Sequence, residues 1–151
     1  MIEHSNLNQR LALIGLTLAV GASALSAAAV NAEPVLTIRA SGFKHARGHA
    51  VAKLFAPGDN VLGPGHWQLV AAIEGDSAVF RFPGLATGNY AAVVFHDEND
   101  NGTIDHGLLG PSEPLGFSGG FVLGLLSGRP DFERLQFDFK TPARILELKV
   151  R

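Results

Sequence analysis

The chain has no cysteine among its 151 residues. That excludes disulfide staples, thiolate chemistry and a lipid-anchored N-terminal cysteine, so stability must come from packing or from a bound ion. Aromatic rings other than phenylalanine are scarce, with one Trp and one Tyr, which leaves little material for a sugar-stacking surface. A further scarcity is local. No Lys or Arg occurs between Arg81 and Arg129, while Asp97, Glu98, Asp100, Asp105 and Glu113 all fall in that interval. The stretch needs a counter-charge from elsewhere in the fold or from a cation.

The N-terminus carries an apolar or small-residue run from Leu11 to Val30, preceded by Arg10 and closed by Val30-Asn31-Ala32 before Glu33-Pro34. Leucines lead the run and alanines and serines end it, the order of a secretion signal with a small-residue cleavage site. The expected organisation is a signal peptide over 1–32, cut after Ala32, and a single domain over 33–151 in the periplasm or outside the cell. The competing account is an uncleaved anchor, since the run approaches the ~20 apolar residues that span a bilayer; the cleavage pattern favours removal, after which no membrane span is expected. Loss of Glu3 and Arg10 with the leader takes the whole-chain counts of 12 Lys and Arg and 14 Asp and Glu to 11 and 13. That small negative excess argues against a nucleic-acid partner.

The remaining sequence reads as strands. Leu36, Ile38 and Ala40 alternate with Thr37 and Arg39; Leu135, Phe137 and Phe139 alternate with Gln136, Asp138 and Lys140; Leu146, Leu148 and Val150 alternate with Glu147, Lys149 and Arg151. Period-two patterns of this kind mark half-buried strands. Segments 49–55, 67–73, 78–82 and 90–96 lie between them, separated by turn formers such as Pro57-Gly58-Asp59-Asn60 and Gly63-Pro64-Gly65. The segment from Tyr90 to His96 is apolar on both faces and is expected to be a central strand buried on both sides. Asp131 to Arg134 is long enough for one helical turn. The fold class is therefore all-β, an Ig-like or prealbumin-like sandwich of about seven strands in two sheets.

Phe82-Pro83-Gly84-Leu85-Ala86-Thr87-Gly88-Asn89-Tyr90 followed by an apolar strand resembles the turn and strand of prealbumin-like and carboxypeptidase-regulatory-like sandwiches. The continuation from Tyr90 through His96-Asp97-Glu98-Asn99-Asp100-Asn101-Gly102, then Asp105, Leu109-Gly110, Glu113-Pro114 and Gly116-Phe117-Ser118, resembles the bacterial family catalogued as domain of unknown function 2141. Gly48 and Pro130-Asp131-Phe132 extend the likeness over nearly the whole chain after the leader. The resemblance implies export and a sandwich but no reaction. The chain departs from it at Pro111-Ser112-Glu113, in place of a proline-lysine-glutamate type turn, and in the apolar character of the run through Gly120 and Gly124.

The acidic segment has a coordination logic of its own. Asp97, Asn99, Asn101, Gly102, Thr103 and Asp105 stand at the first, third, fifth, sixth, seventh and ninth positions of an EF-hand-like loop, where alternate oxygen donors converge on one cation. Leu108 occupies the twelfth position, so the bidentate glutamate is missing, and Glu113 is the replacement if the chain doubles back. The expected ligands are Asp97, Asn99, Asn101, the Thr103 carbonyl, Asp105 and Glu113, and the expected ion is calcium. A solvated hairpin turn is the alternative, because Asn101-Gly102 is itself a strong turn signal.

His96 ends the central strand on the parity of Tyr90 and Val94, where a histidine is more often structural than a ligand. His96 and His106 with Asp97 or Asp105 form the competing zinc or catalytic set, at a spacing that fits no zinc signature. Trp67 is expected in the core; Phe117 is left as a candidate ring for carbohydrate. The leading function is a non-catalytic, calcium-stabilised structural or binding module with a protein or carbohydrate ligand. Its rival is a small metal-dependent hydrolase using His96, His106 and neighbouring carboxylates. No catalytic residue and no organic cofactor is expected under the leading reading.

Overall fold

The computed structural model describes residues 33–108, 110–140 and 142–151. The expected leader, 1–32, lies outside the described residues. The other long segments adopt the strands that their alternation predicts: β1 (Val35–Ser41), β2 (His49–Phe55), β3 (Trp67–Ala71), β4 (Ser77–Pro83) and β5 (Gly88–Asp97). Three short strands follow, β6 (His106–Gly107), β7 (Gly110–Pro111) and β8 (Leu115–Phe117), then a helical turn α1 (Phe132–Leu135), β9 (Phe137–Phe139) and β10 (Ala143–Lys149). The fold is an all-β sandwich, with ten strands where about seven were expected. The three extra ones are two or three residues long, too short to produce a readable period.

One sheet has the order β10-β1-β4, and the other β3-β2-β5-β8 with β9 also paired to β5. In the first, β1 runs parallel to β10 and antiparallel to β4, placing Ile38 opposite both Leu146 and Phe80. Cross-strand register thus stacks the inward residues of all three strands on one face. On the opposite face, Arg39 pairs with Glu147 at 3.6 Å.

The core between the sheets contains Leu36, Ile38, Phe80, Phe82, Leu148 and Val150 from one side and Ala52, Leu54, Tyr90, Val94, Phe137 and Phe139 from the other. A second cluster forms on the far face of the larger sheet, from Val51, Phe55, Ala91, Val93, Phe95, Leu115, Phe117 and Leu135. β5 therefore divides its alternate side chains between two apolar clusters, as a central strand buried on both faces must. The chain between β5 and β9 crosses this far face and covers it.

Two corrections concern this covering segment and the rings. Leu135 belongs to α1 and not to the strand expected over 135–140; Asp131 caps the turn by accepting from the Arg134 amide at 2.9 Å. Asp at that position satisfies an amide that the short turn leaves free. Trp67 packs against the intersheet core while Phe117 lies in the second cluster, edge-on to Phe121. The two rings are on opposite faces of one sheet and cannot form a shared sugar platform.

Ser118 anchors the cover. Its buried hydroxyl accepts from the Ala92 amide at 2.8 Å and donates to the Leu135 carbonyl at 2.6 Å. Ala92 falls between the part of β5 that pairs with β8 and the part that pairs with β9. The serine supplies the ladder bonds that neither neighbour provides there.

Candidate metal centre

β5 ends in His96 and Asp97, and the chain continues through Glu98. Alternation along an extended chain sends His96 and Glu98 to one side and Asp97 to the other. Asp97 is 3% exposed, and its two carboxylate oxygens accept the Asn101 and Gly102 amides at 3.0 and 2.7 Å. Gly102 has φ +76, a left-handed conformation that curls the loop back under the carboxylate.

The loop's other polar side chains bond to one another and to its backbone. Asn99 Oδ1 accepts the Asn101 amide at 3.1 Å, and Asn101 Oδ1 accepts the Thr103 amide at 2.8 Å and its hydroxyl at 2.9 Å. Asp105 accepts the side-chain amides of Asn99 and Asn101 at 2.7 and 2.9 Å. Glu113, 8% exposed, reaches back across the loop and accepts the Glu98 and Asp105 amides at 3.1 and 3.2 Å. Asp97, Asn99, Asn101, Asp105 and Glu113 are thus joined in one hydrogen-bonded loop, in which Thr103 takes part through its amide and hydroxyl. Glu113 also closes it, by bonding both of its ends.

Asp100, at the fourth position, faces outward at φ +60 and pairs with His49 Nδ1. The counter-charge missing from 82–128 comes from the segment between β1 and β2. Arg47 Nη2 donates to Glu98 Oε2 at 3.0 Å, and His45 Nε2 lies 3.4 Å from Glu98 Oε1. Burial works against ionisation of Glu98, but the hydrogen bond and charge of Arg47, with the histidines beside it, outweigh it and hold the carboxyl below its ordinary range. These basic side chains face Glu98 and Asp100. Among the described residues, no Lys, Arg or His forms an ion pair with Asp97, Asp105 or Glu113.

Gly48 lets the two segments meet. It has φ +73, and a Cβ there would lie 2.1 Å from the Asp97 carbonyl oxygen and 2.8 Å from Glu98 Cα. His96 itself is fully buried, edge-on to Phe43 and 4.7 Å from the His45 ring. His106 is exposed on β6 and lines a cleft of about 800 Å³ with Lys53, Val61, Val93 and Phe117. That cleft lies on the face of the second cluster, opposite to His96, so the pairing of His96 with His106 is not formed. The ionisable neighbours of His96 are His45 and Glu98. Sequence reasoning missed His45, although His45, Arg47 and His49 form a cationic every-other-residue pattern in a chain with six histidines.

The fold and loop define a β-sandwich with an acidic loop at the end of its central strand. Residues 38–146 match the family described as "uncharacterized protein conserved in bacteria", domain of unknown function 2141, and the chain belongs to that family. Comparison with curated proteins and with solved structures gave no match. No helix among the described residues is long and apolar enough to cross a membrane.

Proposed function

We propose that this chain is an exported, non-catalytic sandwich module whose 97–113 loop takes up calcium, giving it a structural or binding role in the periplasm or outside the cell. The observation that carries the reading is the charge of the loop interior. Asp97 and Glu113 are buried and Asp105 joins them through Asn101 and its own backbone, with no cationic side chain paired to any of the three among the described residues. Backbone amides offset part of the cost of keeping carboxylates out of water, and a hard cation offsets more. The donors are all oxygens, and calcium's shell of 6 to 8 ligands at ~2.3–2.6 Å accommodates such a loop better than the strict octahedron of magnesium.

Without a glutamate at the twelfth position, affinity falls in the ~10⁻⁴ to 10⁻³ M range of extracellular modules. Calcium at ~10- to 100-fold above its dissociation constant adds about 1.4 to 2.7 kcal/mol of stability by mass action. Thermal melting of the purified protein in calcium and in chelator tests this. The midpoint rises with calcium, Asp97→Asn abolishes the rise, and Asp100→Asn leaves it in place. A wild-type melting curve indifferent to both additives refutes the proposal.

A further inference from the structure

On the opposite side of the same strand end, the structure assigns a second and chemically different metal site, a zinc-class centre formed by His45, His96 and Glu98. Among the described residues, these three form the group whose histidine and carboxylate ligand atoms all lie within 4.8 Å of one another. His96 is 0% exposed, and its Nδ1 has no hydrogen-bond partner among the described residues. His45 Nδ1 is likewise buried without a partner among them.

The tautomer of His96 follows from its other nitrogen. Nε2 lies 2.7 Å from the Arg47 carbonyl oxygen, which can only accept, so Nε2 carries the hydrogen and Nδ1 presents a lone pair. That lone pair faces Glu98 Oε1 at 3.8 Å, and His45 Nε2 stands 3.4 Å from the same oxygen. No donor among the described residues reaches that lone pair. The His96 Nδ1 lone pair and Glu98 Oε1 are acceptors that face each other, and a cation between them satisfies both. Ligands ~2.0–2.2 Å from a tetrahedral ion are separated by about 3.3–3.5 Å, close to both observed spacings.

Arg47 supports both halves of the site. Its carbonyl holds the His96 ring, and its guanidinium holds Glu98 Oε2, leaving Oε1 turned toward the histidines. Hydrogen bonds of this kind orient metal ligands and set their basicity. Imidazole donors select zinc and its neighbours over calcium, so the two sites on opposite sides of β5 would not compete for one ion. Three protein ligands leave a tetrahedral ion one open position, for water or an exogenous donor.

The test uses the full-length protein, stripped of metal and saturated with calcium, titrated with zinc by calorimetry and with cobalt by visible absorption. The expected result is one zinc per chain and the intense ligand-field bands of tetrahedral cobalt. His45→Ala and Glu98→Gln, at partly exposed positions where folding is checked by circular dichroism, should each weaken zinc at least 10-fold. Asp105→Asn, in the calcium loop, should leave zinc affinity unchanged. The assignment is overturned if wild-type protein binds no zinc, if either site variant binds it as tightly as wild type, or if Asp105→Asn alone removes it. Because the readouts are zinc and cobalt in excess calcium, failure here is distinct from failure of the calcium proposal.

Discussion

Replacing Gly48 by alanine tests whether close approach of the β1–β2 segment to the end of β5 builds the corner where His45, His96 and Glu98 meet. Two costs arise. A side chain at φ +73 is strained by about 1 kcal/mol. The new Cβ, 2.1 Å from the Asp97 carbonyl oxygen and 2.8 Å from Glu98 Cα, also collides with backbone that cannot rotate away. Relieving such overpacking costs about 2 kcal/mol more. Gly75, in the turn between β3 and β4, separates the two terms, because its φ is +65 and nothing lies within 4 Å of its added Cβ. Gly75→Ala therefore bears the conformational cost alone, about 1 kcal/mol, and the entropy removed from the unfolded chain is common to both variants and cancels. At about 4 °C per kcal/mol for a domain of this size, the contact term of about 2 kcal/mol should make Gly48→Ala melt about 8 °C below Gly75→Ala. Circular-dichroism melts in chelator, where no ion contributes, provide the comparison. Equal losses in the two variants would show that the contact between Gly48 and β5 carries no energy, and the argument for a built corner would fail.

Ser118→Ala leaves the Ala92 amide and the Leu135 carbonyl short of a buried partner, so urea unfolding should show a loss of about 1–3 kcal/mol; an unchanged midpoint would mean that the covering segment is held by other contacts. Burial lowers the Lys53 pKa from its ordinary value of 10.5. The unfolded chain therefore binds more protons between the folded and unfolded values, and stability rises as pH climbs through that window. Lys53→Met should stabilise the domain near neutral pH, on the order of 1 kcal/mol, with the advantage over wild type shrinking toward pH 10.5; a pH-independent difference would assign the effect to packing. Phe80, 2% exposed in the intersheet core, should cost about 3–5 kcal/mol when cut to alanine. A loss below 1 kcal/mol in urea would contradict the two-sheet core.

The sequence alone determined the parts of this protein that depend on local period and local donor spacing. The alternation of Leu36, Ile38 and Ala40 and of Leu146, Leu148 and Val150 requires one buried face, and the unbroken apolar character of β5 requires two. The Asp97, Asn99, Asn101, Asp105 series folds back on itself through bonds spanning a few residues, so the curl of the loop was readable in advance. Strand pairing was not, because period gives the inward face of a strand without naming its neighbour; the parallel docking of β10 on β1 joins the two ends of the domain. Nor was the short β6–β8 region, or the separation of Trp67 from Phe117 by the thickness of a sheet. The His45–His96–Glu98 group shows the same limit. His45 lies about fifty residues from His96 and Glu98 in sequence and meets them only because β2 pairs with β5 in a register that sets His49 opposite Asp97, and because glycine at position 48 lets the preceding segment lie against that strand's end.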